Sequence, residues 1–259
     1  MPYRELATKE IENWMGIKRG KVPKHLILYA TWPWPHVKKI KEVQRYLKNP
    51  KLAAPNALGN YWIGELDGKK VGFMLVYGHG MAADVIFIMA KLGVKYIYQI
   101  GTMGALQKSI DLFDLIVPEK AIKFEGLPHL FCKQKFVECD KKLLEITKNI
   151  LEEKKFRNYY IGKTISIDFL FAETKKLVRE LSKKRFLAAD METATNYAVS
   201  KMLGIKSIAI LMIIDNIVKE ELLSDLKYKI RKREIQRNRK FVKEIVSEVI
   251  KRIDERGGS

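Results

Sequence analysis

Cysteine and proline are both scarce in this chain. Cys132 and Cys139 are the only cysteines among 259 residues, and they form neither a Cys-x-x-Cys pair nor a cysteine and histidine set with zinc-ligand spacing. The sequence therefore indicates neither a metal site nor a disulfide framework, and we expect a reduced, cytoplasmic location. Only eight prolines, beside abundant lysine, glutamate and isoleucine, give a composition typical of thermophile proteins.

Long apolar runs are also absent from the sequence. A membrane-spanning helix needs ~20 consecutive apolar residues, and no run here approaches that length. The first ten residues include Arg4, Glu5, Lys9 and Glu10, which leave no room for the apolar segment of a signal peptide. We therefore expect a soluble protein that has no membrane partner.

Acidic residues are outnumbered by basic ones, 30 against 49, which gives a net charge of +19. A field of this sign attracts anions such as phosphate, nucleotides or nucleic acid. The most basic stretch runs from Lys227 to Lys240, and apolar residues recur through and beyond it at roughly helical spacing. We therefore predict an amphipathic C-terminal helix, at about residues 228–256, with a solvated basic face, and we do not expect nucleic acid as a partner.

The chain does contain a regular alternation of short apolar runs and longer amphipathic stretches. This alternation is typical of an α/β domain with a mostly parallel sheet, and 47% apolar residues are ample for its core. No repeat or linker divides the sequence, so we expect a single domain over residues 1–259, with its core at about residues 25–249. The Asp67-Gly68 pair predicts a hairpin between two strands.

The apolar runs predict strands at His25 to Ala30, Tyr61 to Leu66, Val71 to Tyr77, Val94 to Ile100, near Leu115 and Ile122, at Tyr159 to Ile167, at a short segment ending at Asp190, and at Ser207 to Ile214. The amphipathic stretches predict helices at about Val37 to Leu47, Met81 to Leu92, Lys141 to Glu153, Glu173 to Lys183 and Met191 to Leu203.

Three segments that follow predicted strands are candidates for a binding site. They are Gly78 to Met81, Gly101 to Ala105, and the pair formed by Asp190 to Glu192 and Asp215-Asn216. In open α/β sheets ligands bind beyond the carboxyl ends of strands. Glycine turns let backbone amides approach an anion, and the hydroxyl of Thr102 adds a donor. Each glycine pair alone favours a tight turn between strand and helix over a binding loop.

The order and spacing of these segments resemble those of the purine nucleoside and uridine phosphorylases and their nucleosidase relatives. The resemblance rests on the stretch from Val71 to Leu106, on Ala189 to Ala194 (ADMETA), and on Ile213 to Asn216 (IIDN). It extends from about His25 to Val249. It implies a three-layer α/β/α fold with a mixed, mostly parallel central sheet, and a homo-oligomer built from dimers, with a hexamer as one form, in which neighbouring subunits complete each pocket.

The resemblance also assigns roles to individual residues. Glu192 would accept hydrogen bonds from the ribose hydroxyls, and Met191 would pack against the sugar. Asp215 would protonate the leaving base at purine N7, since partial burial raises a carboxyl pKa. Phe171 matches the position that stacks on the base. Simpler interpretations remain for each: Asp190, Glu192 and Asp215 could cap helices, which we favour for Asp190, and Phe171 could belong to the core.

Departures from the family concern the phosphate site. Gln99 stands where the family has an arginine, two residues before Gly101 and Thr102. The glycine-rich phosphate loop corresponds to Trp32 to His36, and a third arginine position falls near Asn56-Ala57. Ile214 replaces a serine, and Phe171 to Glu173 replaces the Gln-x-Arg that recognises uracil. A remodelled phosphate site would use Thr102, His36, Lys38 or Lys39.

Three functions remain open from the sequence. The first is a nucleoside phosphorylase that cleaves a purine nucleoside to free base and ribose 1-phosphate, with phosphate as co-substrate and no cofactor. The second is a nucleosidase that uses water, although no glutamate lies between His25 and His36 to activate it. The third is a non-catalytic nucleoside-binding protein or partner subunit.

Overall fold

The computed structural model describes residues 5–31, 36–54, 61–124 and 126–256. Its strands are β1 (His25–Ala30), β2 (Lys48–Ala54), β3 (Tyr61–Leu66), β4 (Lys69–Val76), β5 (Tyr96–Ala105), β6 (Leu115–Lys123), β7 (Phe136–Glu138), β8 (Tyr159–Ser166), β9 (Ala188–Asp190), β10 (Lys206–Asn216) and β11 (Glu221–Leu222). Its α-helices are α1 (Thr8–Met15), α2 (His36–Tyr46), α3 (Gly78–Lys91), α4 (Lys141–Glu153), α5 (Lys175–Lys183), α6 (Thr193–Met202) and α7 (Tyr228–Arg256).

All the strands belong to one mixed sheet with the order β11-β10-β6-β8-β9-β5-β1-β4-β3-β2, and β7 pairs with β6. β5 lies at its centre, because it pairs with three other strands: it is parallel to β1 and β10 and antiparallel to β9. The pairings β1/β4, β6/β8 and β8/β9 are also parallel. The mixed α/β architecture predicted from the sequence is therefore confirmed.

The two faces of the sheet are buried in separate clusters, and β1 shows how. Ile27 and Tyr29 belong to the cluster that also takes in α2, α4 and α7, whereas Leu26 and Leu28 belong to the cluster with α1 and α3. Side chains alternate between the faces of a strand, so an uninterrupted apolar run supplies both clusters. Helices consequently cover both sides of the sheet.

Local signals in the sequence fix several element ends. Asp67 and Gly68 both have positive φ, 46° and 81°, as a two-residue turn between β3 and β4 requires. The side chain of Asp140 accepts a hydrogen bond from the N–H of Leu143 and caps α4. The C-terminal helix has the predicted bounds, Tyr228–Arg256. None of the helices in the described ranges combines the length and apolar character needed to cross a bilayer.

The structure differs from the sequence predictions at the site segments. Gly101 to Ala105, expected as a loop, continues β5 and pairs with β10 as far as Asn216. Gly78 to Met81, expected as a turn, forms the first turn of α3. The polar glycine-containing sequences suggested breaks, but long-range pairing and packing extend both elements. Trp32 to Pro35 and Asn56-Ala57 lie outside the described residues.

Candidate active site

A cavity of about 200 Å³ opens where β1, β5, β9 and β10 end. The residues that line it include Thr31, Thr102, Met191, Glu192 and Asp215. These residues come from four separate segments, and the sheet brings them together because the carboxyl ends of its parallel strands β1, β5 and β10 meet at one edge. The two motifs noted in the sequence therefore converge on one pocket.

Glu192 lies in the cavity wall with a 6% exposed side chain, at the start of α6. Its Oε1 accepts a hydrogen bond of 2.6 Å from the N–H of Gly78, and its Oε2 one of 3.3 Å from the N–H of Met191. The N-terminal turn of α3 thus binds an internal carboxylate. Burial and the nearby negative charge of Asp190 raise the pKa of Glu192 to about 8. Its side chain makes no bond that caps α6, the helix that Glu192 precedes.

Asp190 has the structural role that the sequence favoured. Its Oδ2 accepts a hydrogen bond of 3.0 Å from the N–H of Thr193, the first residue of α6, and its Oδ1 one of 2.6 Å from the hydroxyl of Ser166. Burial raises its pKa, while these hydrogen bonds oppose the shift. These hydrogen bonds engage both carboxylate oxygens of Asp190 and join β8, β9 and α6 at the base of the cavity.

Gln99 does not face the cavity, and its assignment as a ligand-contacting side chain needs correction. It is fully buried, its Nε2 donates to Asp190 Oδ2 at 3.2 Å and to Thr193 Oγ1 at 3.0 Å, and its Oε1 accepts from Asn196 Nδ2 at 2.9 Å. Both N–H groups of the amide are used, one by β9 and one by α6, and its oxygen accepts from α6. Gln99 therefore supports Asp190 and does not reach a ligand.

Asp215 lies at an irregularity in β10. The register between β10 and β5 shifts between Ile213 and Asp215, so that Ile214 is an extra residue. This bulge allows both Ile214 and Asp215 to line the cavity, although neighbouring strand residues normally face opposite sides. Burial raises the pKa of Asp215 to about 6. Asp215 lies within β10, so the alternative that it caps a helix is wrong.

Glu173 is a functional candidate that the sequence reasoning did not single out. It lines the same cavity, and burial followed by the negative charge of Asp215 raises its pKa to about 7. The two carboxyls therefore titrate near neutral pH in one pocket. The only sequence signal was its place in the segment that replaces the uracil-recognition motif, and its distance of 42 positions from Asp215 hid the pairing.

Gly101 and Thr102 behave differently from each other. A Cβ on Gly101 would lie 2.3 Å from the carbonyl oxygen of Ala30, so only glycine permits this approach of β5 to β1. Thr102 lines the cavity, as expected, whereas Gly101 does not. Of these two residues, Thr102 is therefore the one that can contact a ligand in this cavity.

The remaining predicted residues have mixed placements. Met191 lines the cavity. Phe171 does not: its side chain is 84% exposed, and its neighbour Leu170 contributes to the wall together with Ile167. The stacking role assigned to Phe171 therefore needs correction for this conformation. His36 begins α2, and its side chain, like those of Lys38 and Lys39, lies outside the described part of the structure.

Comparison with known proteins identifies the family. The model of the phosphorylase superfamily matches residues 25–251, which include every cavity residue named above. This chain belongs to the phosphorylase superfamily. Within the described residues of this superfamily member, no group of three or more histidine, cysteine, aspartate or glutamate side chains is arranged to hold a metal ion.

Individual members of the superfamily resemble the chain over most of its length. A purine nucleoside phosphorylase DeoD-type 2 from Vibrio cholerae is 30% identical over 174 residues, which cover 62% of this chain and 70% of that protein. A DeoD-type purine nucleoside phosphorylase from Buchnera aphidicola is 25% identical over 189 residues, 70% of this chain and 78% of that protein. A uridine phosphorylase structure from Vibrio fischeri superposes with a TM-score of 0.79 at 20% identity, over 92% and 95% of the two chains, and shows the same fold.

Proposed function

We propose that this protein cleaves the N-glycosidic bond of a purine nucleoside by phosphorolysis, releasing free base and ribose 1-phosphate. The observation that carries the proposal is the presence of Glu192 and Asp215 in the wall of one 200 Å³ cavity. One carboxyl suits the sugar hydroxyls and the other suits the departing base. Relatives named as purine nucleoside phosphorylases support the purine assignment.

The sugar half of the reaction depends on Glu192. An ionised carboxylate accepts hydrogen bonds from two ribose hydroxyls, and such charge-assisted bonds are stronger than neutral ones. The Gly78 N–H already holds one oxygen at 2.6 Å, which fixes the direction of the group. Hydrogen bonds from a sugar favour the ionised form, so we expect nucleoside binding to lower the pKa of Glu192 from about 8. Met191 would pack against the ribose.

The base half of the reaction depends on Asp215. A carboxyl with a pKa of about 6 is partly protonated near neutral pH and can donate a proton to purine N7 as the bond from C1′ to N9 breaks. An oxygen of phosphate then forms a bond to C1′ of the oxocarbenium-like sugar, and solvent reprotonates Asp215. Burial and the negative charge that Asp215 carries after donating its proton raise the pKa of Glu173 to about 7, so Glu173 keeps its proton after Asp215 has given up its own. Ile167 and Leu170 would supply the apolar wall for the base.

Phosphate is the one co-substrate in this proposal, and no cofactor takes part. A second candidate function, a nucleosidase that uses water, is favoured by one observation. Gln99 occupies the family's arginine position, and its amide is bonded to Asp190, Thr193 and Asn196 and turned away from the cavity. Loss of a guanidinium at this position would weaken the hold on phosphate and leave water as the nucleophile.

One assay separates these functions. The full chain is incubated with purine and pyrimidine nucleosides, with and without phosphate, and free base is followed by chromatography. We expect base release from purine nucleosides that depends on phosphate, and a loss of ~10²- to 10⁴-fold in the Asp215→Asn variant. Release without phosphate would select the nucleosidase, and binding without release would leave a nucleoside-binding protein.

The assembly and location are also proposals. We propose that the chain forms one domain over residues 1–259 and works as a cytoplasmic homo-oligomer built from dimers, because the family resemblance implies shared pockets. The two cysteines, Cys132 and Cys139, are free thiols in the structure, which is compatible with a reducing compartment. Light scattering at micromolar concentration gives the oligomeric state, and a monomeric mass would contradict the proposal.

A further inference from the structure

A second cavity, of about 250 Å³, lies beside the first on the α7 side of the sheet. Thr31, Thr102 and Ile214 line both cavities, so the two share a wall at the ends of β1, β5 and β10. Gly101 lines the second cavity but not the first. A molecule in the second cavity would therefore lie next to a nucleoside in the first.

The wall of the second cavity carries a guanidinium. Arg239, on α7, lines this cavity with a side chain that is 20% exposed. Its Nη2 lies 3.3 Å from Oε2 of Glu42, and it hydrogen-bonds to the hydroxyl of Tyr29. Glu42 is 3% exposed and is also paired with Arg45 through its other oxygen. Two guanidinium groups share one carboxylate, so this cluster carries a net positive charge.

A polar atom without a partner belongs to the same wall. Asn238 lines the second cavity, is 7% exposed, and its Oδ1 has no hydrogen-bond partner among the described residues. Its Nδ2 donates to the carbonyl oxygen of Glu234 at 3.3 Å, so the unused atom is an acceptor. Buried polar atoms nearly always have a partner, and the hydroxyl of a protonated oxyanion such as hydrogen phosphate can donate to this oxygen.

We propose that the second cavity is the oxyanion subsite of this protein and that Arg239 is its guanidinium ligand. The proposal rests on the proposed function, in which phosphate is the co-substrate. An arginine fork matches two oxygens of a tetrahedral oxyanion, and the hydroxyl of Thr102 is shared with the nucleoside cavity. The charge that β5 lacks at Gln99 is thus supplied by the C-terminal helix.

Glu42 competes with the oxyanion for Arg239. Because Arg45 also pairs with Glu42, the carboxylate keeps a counter-charge when Arg239 turns toward a ligand. Removing the negative charge, in Glu42→Gln, should leave the guanidinium more available. This substitution therefore acts in the opposite direction from the loss of Arg239, which gives the proposal two independent tests.

The test is calorimetric titration of inorganic phosphate into the full chain at constant ionic strength. We expect Arg239→Gln to weaken phosphate binding ten- to hundredfold, since charged hydrogen bonds are lost. Glu42→Gln should tighten it. The matched control is Arg237→Gln on the same helix, since the Arg237 side chain is 76% exposed and pairs only with Glu234 among the described residues. The Arg237→Gln variant should bind phosphate with an affinity within about twofold of the wild-type affinity.

The outcomes separate this inference from the proposed function. If Arg239→Gln does not fold, Arg239→Lys keeps the charge, loses the fork and should still weaken binding. Equal phosphate affinity in the wild type and the Arg239 variants, or no phosphate binding by the wild type, overturns the subsite. The release of free base is measured separately. If Arg239→Gln still cleaves nucleosides with the phosphate requirement of the wild type, Arg239 is not the phosphate ligand and the proposed phosphorylase activity stands. If phosphate binding depends on Arg239 but no base is released, the subsite stands and the proposed activity does not.

Discussion

Replacing Glu192 by glutamine should make the empty protein more stable in alkaline solution while removing nucleoside binding. The pKa of this carboxyl is about 8 in the folded chain, raised from its ordinary value of 4.5 by burial and by Asp190. Folding therefore retains a proton that the unfolded chain releases. The stabilisation is complete below pH 4.5 and is lost as the pH rises to about 8.

The magnitude follows from the two pKa values. At about 1.36 kcal/mol for each pH unit, a rise of this kind corresponds to a few kcal/mol of unfolding free energy, which belongs to the pair of carboxyls because Glu192 and Asp190 are coupled. Glutamine is neutral throughout and can still accept from Gly78, but its NH₂ group faces the N–H of Met191. We expect this lost bond to cost about 1 kcal/mol, so the variant should gain a few kcal/mol over the wild type at pH 9 and none at pH 4.

The assay is urea denaturation of both proteins at pH 4, 7 and 9, with nucleoside binding measured by calorimetry at pH 7. Glu145→Gln, on the exposed face of α4, is the control and should leave the pH dependence of the wild type unchanged. Parallel stability profiles for the wild type and Glu192→Gln would refute the reasoning, because they would show that Glu192 is not protonated in the folded protein. Unchanged nucleoside affinity would remove Glu192 from the sugar site.

Two further substitutions test other parts of the fold. Gln99→Arg should lower the unfolding free energy by about 1 to 3 kcal/mol, because arginine offers no acceptor to the Nδ2 group of Asn196. Phosphate affinity should not rise in this variant, and tighter phosphate binding in calorimetry would contradict the prediction. Partial burial raises the pKa of Asp254, but hydrogen bonds from two lysines and His25 outweigh this effect and lower the pKa to about 2. The ionised carboxylate therefore stabilises the folded protein above pH 3.8, and this stabilisation is lost as the pH falls through about 2. Because solvent screens ion pairs with the half-exposed lysines, Asp254→Asn should cost about 1 kcal/mol in urea denaturation at pH 7, and an unchanged midpoint would exclude the contribution.

The sequence predicted the architecture because strand and helix signals are local. The apolar run of β1, the Asp67-Gly68 turn and the apolar positions of α7 each depend on a few neighbouring residues. The segments that carry Glu192 and Asp215 were singled out because they follow predicted strands, and the family resemblance assigned the roles of the two carboxyls. Since the ends of parallel strands meet at one edge of the sheet, both carboxyls line one pocket.

The parts that failed depend on side-chain direction and on distant pairs. Gln99 and Thr102 are three positions apart on β5, and sequence proximity did not show that Gln99 packs beneath α6 while Thr102 lines the cavity. Glu173 approaches Asp215 from a separate segment, and Arg239 reaches the second cavity from the C-terminal helix. Such contacts are set by packing across the sheet, which no local pattern encodes.

The bulge at Ile214 has a consequence for how this pocket tolerates changes in chain length. Ile213 pairs with Met103 and Asp215 pairs with the next residue, Gly104, so Ile214 is the residue that has no partner of its own on β5. Deleting Ile214 would therefore leave Asp215 opposite Gly104 and on the same face of the sheet, whereas inserting one more residue would have to enlarge the bulge or turn the later side chains of β10 to the other face. This strand consequently tolerates the loss of its extra residue better than a gain, and its spacing is as much a part of the active site as its carboxylate.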